Sequence, residues 1–223
     1  MGRFLDFEGV DAVLFDCDGV LLDSEPASEW AWRTALSEVG VEIDDFGEWV
    51  GKTDQAIAIH YGGEARVSPT RLSGRSAELL LTLLEDEGIP VFPDARSALD
   101  QIADAGMPRA VVSNSEGWRL DALLKAADLD HLFPVRVSSD DVPRPKPDPD
   151  VYLRAARLLG VDPSRCLAVE DSPTGVAAAR AAGMRVVAVD RGVFDSEALA
   201  AATRVIPDLG GSHPGATKKP AGG

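Results

Sequence analysis

The stretch that most constrains the fold lies near the start of the chain, where a short, largely apolar run ends in two aspartates. The run, Val10 to Phe15, predicts a strand buried on both faces, because hydrophobic residues occupy successive rather than alternate positions. Asp16 and Asp18 follow it, and Gly19 permits a turn there because glycine tolerates positive φ. Both carboxylates therefore lie at the carboxyl end of a strand, where open α/β sheets place their ligands. Strands also end in Asp-Gly turns without any function, so the pair gains meaning only from more distant partners.

Between Ser24 and Gly88 the sequence contains only helical patterns. The expected helices run from Glu25 to Val39, from Thr53 to His60, and from Ser68 to Gly88. Ser24, Thr53 and Ser68 are placed to cap them, since side-chain oxygens at these positions accept from free backbone N–H groups. We predict an all-helical insertion that splits the first strand–helix unit.

From Pro93 onward, helical and strand patterns alternate. Strands are expected at 109–112, 135–137, 166–169, 185–189 and 204–206, with Asp94 and Ser172 as caps of two of the helices between them. Repeated strand–helix units predict an α/β fold, a doubly wound parallel sheet with right-handed crossovers. The expected division is a Rossmann-like core (residues 1–23 and 90–211), a helical insertion (residues 24–89) and a flexible, Gly- and Pro-rich tail (residues 212–223).

The formal net charge of −15 in 223 residues limits the partners of the chain. It argues against nucleic acid and against anionic membrane surfaces, both of which require a basic face. No apolar run approaches the roughly 20 residues of a membrane span. The chain has two cysteines and no leader of basic residues followed by a long apolar segment. We therefore expect a cytoplasmic monomer without nucleic-acid or membrane partners.

Four polar clusters each follow a predicted strand and should converge, because parallel strands share one carboxyl edge: Asp16 with Asp18, Ser113 with Asn114, Lys146, and Glu170 with Asp171. Carboxylates about 4 Å apart repel by about 4 kcal/mol per pair at an effective dielectric constant of about 20. They remain ionised only around a cation, and oxygen ligands without histidine favour Mg²⁺ over zinc.

The same edge also offers groups that suit an anion. Lys146 adds a positive charge, while Ser113 and the backbone N–H groups around Asn114 can donate hydrogen bonds. Metal, ammonium and amide donors together fit a phosphate whose phosphorus is attacked. The acidic surface opposes such a ligand only weakly, since the Debye length is about 8 Å at physiological salt.

These residues resemble the four motifs of the haloacid dehalogenase superfamily. The matching segments are Asp16–Glu25 for motif I, Ser113 for motif II, Lys146 within Arg144–Pro149 for motif III, and Glu170–Gly175 for motif IV. The helical insertion is similar to the small cap of the branch that contains β-phosphoglucomutase, phosphoglycolate phosphatase and sugar-phosphate phosphatases. The resemblance covers about residues 10–207, and four motifs in order, each after a strand, are highly specific.

The resemblance implies phosphate-ester hydrolysis through an aspartyl-phosphate. Asp16 would attack phosphorus, and Asp18 would protonate the leaving oxygen and later activate water. The second aspartate also argues against cleavage of a carbon–halogen bond, because the dehalogenases of the superfamily lack an acid at that position.

The resemblance also implies the ligands of the metal and of the phosphate. Mg²⁺ would bind Asp16, the backbone carbonyl of Asp18 and Asp171, with Glu170 in or next to that set. Three residues would hold the phosphoryl oxygens: Ser113, Asn114 and Lys146. The family further suggests a cis peptide bond between Lys146 and Pro147.

Two positions in the insertion bear on the reaction type. The mutase of this branch has a histidine and an arginine where this chain has Ser28 and Asp54, and both departures favour hydrolysis. Lys52 lies in a loop that would face the site when the cap closes, so it either contacts the polar end of the substrate or is a solvated surface lysine.

The leading hypothesis is a Mg²⁺-dependent phosphatase of a small phosphorylated metabolite, either a sugar phosphate or a similar phosphomonoester. The alternatives are a phosphomutase of the β-phosphoglucomutase type and, more remotely, a receiver-like signalling module. Receivers also gather acidic residues at strand ends, but they lack a helical insertion. A catalytically silent binding protein is disfavoured because no motif residue is missing. The sequence does not specify the substrate, which the cap would select.

Overall fold

The computed structural model describes residues 5–50 and 52–210. Within these residues the strands are β1 Ala12–Phe15, β2 Arg109–Val112, β3 Val135–Val137, β4 Cys166–Glu170, β5 Arg185–Val189 and β6 Arg204–Ile206. They form one parallel sheet in the order β3-β2-β1-β4-β5-β6. All six predicted strands are therefore confirmed, while the predicted tail at 212–223 lies outside the described residues.

The helices of the described residues are α1 Glu25–Ser37, α2 Asp54–Ala65, α3 Pro69–Glu87, α4 Pro93–Asp104, α5 Gly117–Ala126, α6 Asp150–Leu159 and α7 Pro173–Ala181. Helices α4 and α5 cover one face of the sheet, and α6 and α7 cover the other. The doubly wound α/β architecture is confirmed. Within residues 5–50 and 52–210, no helix has both the length and the apolar character needed to cross a membrane.

Strand β1 shows why its sequence is apolar at successive positions. Val13 and Phe15 point into the cluster that contains α4 and α5, whereas Ala12 and Leu14 point into the cluster that contains α6 and α7. All four side chains are fully buried. The strand therefore contributes to both cores and ends at the sheet edge where Asp16 begins.

Helices α1, α2 and α3 lie between β1 and β2 in the sequence and form the insertion. Helix α3 packs against both α1 and α2. Their own apolar cluster includes Trp32, Leu36 and Leu72. Ala31 of α1 and Leu80 of α3 belong instead to the main core. The insertion thus has a small core of its own and is also packed against the sheet domain.

The two connections between the insertion and the sheet domain lie side by side. Leu22 and Val91 form an isolated antiparallel bridge. Next to it, the Asp23 amide donates to the Pro90 carbonyl at 3.0 Å, and the Phe92 amide donates to the Leu21 carbonyl at 3.0 Å. The chain therefore enters and leaves the insertion at one point.

Two of the three predicted serine and threonine caps in the insertion are confirmed. Thr53 accepts from the Ala56 amide, and Ser68 accepts from the Arg71 amide. The prediction for Ser24 was wrong, because its hydroxyl makes no capping bond and donates to Asp18 instead.

Two helix boundaries also differ from the prediction. Asp94 is not a cap: α4 begins after Phe92, and the Asp94 carboxylate is engaged by Arg191. Helix α2 continues five residues past His60, to Ala65. It runs through Gly62, where an added Cβ would lie 3.0 Å from the Val67 carbonyl, so the space there is tight for any side chain.

Candidate active site

Asp16 follows β1 directly and is only 8% exposed. Its amide donates to the Val169 carbonyl of the neighbouring strand β4 at 2.9 Å, so pairing of the sheet fixes its backbone. One carboxylate oxygen, Oδ1, lies 2.6 Å from Nζ of Lys146. The first of the predicted long-range contacts is therefore formed.

Lys146 lies at the centre of the site. Its Nζ donates to Asp16 Oδ1 and to Glu170 Oε1, each at 2.6 Å, and to the Val112 carbonyl at 3.1 Å. These partners belong to the ends of β1, β4 and β2, so one ammonium group joins three strands. Burial opposes its charge, but attraction to the two carboxylates raises the pKa of Lys146 above its ordinary value. The predicted cis Lys146-Pro147 peptide bond is confirmed.

Asn114 holds the backbone of Lys146 in place. Its Oδ1 accepts from the Lys146 amide at 2.8 Å, and its Nδ2 donates to the Lys146 carbonyl at 3.0 Å. Ser113, just before it, is buried at the end of β2, and its hydroxyl accepts from the Ser115 amide at 3.0 Å. The structure thus brings both predicted residues to the Lys146 side of the site.

Asp18 is held by two hydroxyl groups. Ser24 donates to Oδ1, and Ser115 donates to Oδ2 at 3.1 Å. Ser24 comes from the start of α1 and Ser115 from the loop after β2, so both the insertion and the sheet domain contact this carboxylate. Ser115 was not among the predicted site residues, and only its closeness to Ser113 could have pointed to it.

Three carboxylates form an acidic cluster, defined here as Asp16, Glu170 and Asp171, in which one oxygen from each residue lies within 4.8 Å of the others. Glu170 is fully buried, and its Oε1 accepts from Tyr152 as well as Lys146, both at 2.6 Å. Its Oε2 accepts from the Ser172 hydroxyl at 3.2 Å. Glu170 is therefore engaged on both oxygens, while Asp16 and Asp171 are the more open members.

Charge within the acidic cluster is only partly compensated. Burial raises the pKa of Asp16 to about 8, despite the opposing attraction of Lys146. Burial and the neighbouring carboxylates also raise the pKa of Asp171 well above its ordinary value. Three carboxylates facing one ammonium, all oxygen donors, match what a hard divalent cation such as Mg²⁺ requires. The residues present therefore fit the expected metal.

Two glycines allow the carboxylates to approach the backbone closely. A Cβ on Gly19, whose φ is +74°, would lie 1.9 Å from Asp171 Oδ2. A Cβ on Gly175 would lie 1.9 Å from Glu170 Oε1. Both distances are far below van der Waals contact, so the acidic cluster in this arrangement requires glycine at both positions.

Arg119 of α5 joins the sheet domain to the insertion. One guanidinium nitrogen lies 3.4 Å from Asp54 Oδ2, and another donates to the Ser28 hydroxyl. Ser28 and Asp54 are the two insertion positions at which the sequence predicts a departure from the mutase. Lys52 is the predicted site residue that stays apart: it is exposed, and among the described residues no ion pair or side-chain hydrogen bond links it to the acidic cluster.

Arg191, which follows β5, fixes the turn after Asp18. It donates to the Gly19 carbonyl at 3.0 Å and the Val20 carbonyl at 3.2 Å, and it pairs with Asp94 at 2.9 Å. Its guanidinium also stacks 3.9 Å from the centre of the Phe92 ring. No sequence signal pointed to Arg191, because 172 residues separate it from Gly19.

Comparison with known proteins places these features in a family. A family model described as haloacid dehalogenase-like hydrolase matches residues 10–183. Protein SUPPRESSOR OF QUENCHING 1, chloroplastic, from Arabidopsis thaliana is 39% identical over 82% of this chain, which spans only 18% of that protein. Fructose-1-phosphate phosphatase YqaB from Escherichia coli is 34% identical over 82% of this chain and 98% of its own length.

The fold is also shared with a solved structure. CbbY from Rhodobacter sphaeroides in complex with phosphate superposes with a TM-score of 0.81 at 25% identity, covering 91% of this chain and 96% of that chain. Sequence and structure therefore relate nearly the whole described chain, sheet domain and insertion alike, to phosphate-handling enzymes.

Proposed function

Since the chain belongs to the haloacid dehalogenase-like hydrolases, in the branch with a small helical cap, we propose that it is a Mg²⁺-dependent phosphatase of small sugar phosphates or similar phosphomonoesters. The observation that carries this proposal is the buried contact of Asp16 with Lys146, flanked by two further carboxylates and by Asp18. Relatives named for sugar phosphates, such as the fructose-1-phosphate phosphatase, support the substrate class.

The chemistry follows from the positions of two aspartates. Lys146 holds Oδ1 of Asp16, which leaves Oδ2 to attack phosphorus. A bond forms between Asp16 and phosphorus, the bond to the leaving oxygen breaks, and Asp18 gives that oxygen a proton. Water then attacks the aspartyl-phosphate while Asp18 takes its proton, which releases phosphate and restores Asp16.

The remaining residues stabilise the negative charge of the phosphoryl group or hold other side chains in position. Mg²⁺, held by Asp16, Asp171 and the carbonyl of Asp18, would supply positive charge against the phosphoryl oxygens. Lys146 adds a second positive charge, and Ser113 donates from the end of β2. Glu170 also accepts from the ammonium of Lys146 and so helps to keep it in place. The insertion would act as the cap that closes over the leaving group.

The contacts of Arg119 favour hydrolysis over mutase chemistry. Ser28 and Asp54, which stand where the mutase has histidine and arginine, are both bound to Arg119. The insertion therefore presents a hydroxyl where the mutase has an imidazole, and a hydroxyl cannot exchange protons near neutral pH as an imidazole does.

Phosphate release from a panel of sugar phosphates, with and without Mg²⁺, tests the proposal. Asp16→Asn should lower kcat by roughly 10³-fold or more, because it removes the attacking oxygen. Asp11→Asn is the matched control, since Asp11 is an exposed aspartate just before β1 that pairs with Arg165. Full activity in Asp16→Asn, or an isomerised ester without free phosphate in the wild type, would contradict the proposal.

A further inference from the structure

The guanidinium group of Arg119 lies at the seam between the sheet domain and the insertion. Its side chain is 12% exposed, and it contacts Ser28 of α1 and Asp54 at the start of α2. Ser28 is itself only 8% exposed. Three polar side chains from three helices therefore meet in a largely buried place.

This place is close to the carboxylate proposed to protonate the leaving group. The Ser28 amide donates to the Ser24 carbonyl at 3.0 Å, so the two serines lie one turn apart on the same face at the start of α1. The Ser24 hydroxyl contacts Asp18. Side chains four residues apart on a helix are about 5–6 Å apart, so Arg119 lies about one helical turn beyond Asp18. A leaving group whose oxygen receives its proton from Asp18 would therefore lie within reach of Arg119.

The positive charge of Arg119 is compensated by the carboxylate of Asp54. Asp54 pairs with it through Oδ2, while Oδ1 of Asp54 accepts from the indole nitrogen of Trp32 at 2.8 Å. Trp32 is 1% exposed and belongs to the core of the insertion, so its hydrogen bond holds the Asp54 carboxylate against that core. The pair has no net charge, yet it offers several N–H donors and carboxylate acceptors.

We propose that Arg119 is a specificity-determining residue that, together with Ser28 and Asp54, binds the hydroxyl groups of a neutral polyol or sugar leaving group and disfavours one that carries a second phosphate. This inference rests on the proposed phosphatase function and names its substrate class. Hydroxyl groups can both donate and accept, so they match a mixed set of donors and acceptors. A second phosphate is only an acceptor, and it would meet the carboxylate of Asp54.

Steady-state kinetics with two monoesters provide the first test. Sorbitol 6-phosphate carries a hydroxyl-rich leaving group, and p-nitrophenyl phosphate carries none. In Arg119→Met the ratio of kcat/KM for sorbitol 6-phosphate to that for p-nitrophenyl phosphate should fall at least tenfold. Arg75→Met is the matched control, because Arg75 forms its ion pairs with Glu38 and Glu78 inside the insertion, and this ratio should stay at the wild-type value.

A second variant keeps the proposal falsifiable if Arg119→Met folds poorly. Asp54→Asn retains an acceptor for Trp32 but removes the charge that compensates Arg119. Hydrolysis of fructose 1,6-bisphosphate relative to fructose 1-phosphate should then rise at least tenfold.

The outcomes separate this inference from the proposed function. Equal losses on both monoesters in Arg119→Met, or an unchanged bisphosphate ratio in Asp54→Asn, would overturn the specificity role. Absence of phosphate release from every ester in the wild-type protein would instead overturn the phosphatase function itself.

Discussion

Gly19 and Gly175 leave the space that the carboxylates of Asp171 and Glu170 occupy. In both cases a single methyl group would meet a carboxylate oxygen at 1.9 Å. The oxygens of Glu170 cannot shift freely, because one is bonded to Lys146 and Tyr152 and the other to Ser172. The geometry of the acidic cluster therefore depends on residues that have no side chain.

Gly175→Ala should disrupt this arrangement. The added methyl group must displace Glu170, so we expect a loss of about 2–3 kcal/mol in the free energy of unfolding and a large loss of activity. Gly74→Ala is the control: Gly74 lies in α3 with nothing within 4 Å of an added Cβ, and alanine there should add about 0.5–1 kcal/mol. Urea unfolding measures both. Equal behaviour of the two variants would contradict the close approach of Glu170.

Some residues of the candidate site could be predicted from the sequence, and others could not. Motif residues such as Asp16 and Lys146 were predictable because Asp16 directly follows β1 and Lys146 lies in the loop after β3, and parallel strands share an edge. Arg119, Arg191 and Tyr152 were not, because each lies in a helix or loop without a motif and acts through partners far away in sequence. Contacts of that kind depend on packing, which no local pattern encodes.

Helix starts in this chain illustrate how tertiary contacts override local rules. Ser24 and Ser68 both precede a proline at the start of a helix, and the sequence predicts a cap at each. Only Ser68 acts as one, since the Ser24 hydroxyl contacts Asp18. The inner strands β1 and β4 were easier to predict, because they are buried along their whole length and burial on both faces favours an apolar run.

The two serines should respond differently to alanine. Ser68→Ala removes a capping bond and should cost about 1 kcal/mol of stability while leaving kcat unchanged. Ser24→Ala loses no cap, but it frees Asp18 on one side and should lower kcat with a smaller effect on stability. Thermal unfolding and steady-state kinetics on both variants measure this. A Ser24→Ala protein with wild-type kcat would show that this contact does not position Asp18.

Across the molecule as a whole, stability should be linked to metal and pH through the acidic cluster. Because burial raises the pKa of Asp16 from 3.8 to about 8, folded protein without metal holds a proton there that the unfolded chain releases above pH 4. The stability that protonated Asp16 contributes to the folded protein is therefore lost as pH rises towards 8. Mg²⁺ requires the ionised carboxylate, so it binds more tightly over the same range.

We therefore expect the rise in Tm caused by Mg²⁺ to be larger at pH 8 than at pH 6. At 100 times Kd, a ligand adds about 2.7 kcal/mol to stability. Differential scanning calorimetry with and without Mg²⁺ measures the effect. A concentration of about 10 mM is chosen so that Mg²⁺ is in large excess over its Kd. Asp171→Asn should abolish it, whereas Asp121→Asn, an exposed aspartate on α5, should not. A shift that is equal at both pH values would contradict the linkage.

The pairing of Leu22 with Val91 has a consequence for how such a chain can be diversified. Residues directly opposite in an antiparallel bridge lie only about 4.5–5.5 Å apart, so the sheet domain closes on itself at that point whatever is threaded between them. A segment exchanged there must therefore bring its ends together at this bridge, and it must also cover the part of the main core to which Ala31 and Leu80 contribute. The scaffold thereby attaches a module at a single point, and new selectivities can be grafted there if the substituted module keeps the hydroxyl contact that Ser24 makes with Asp18.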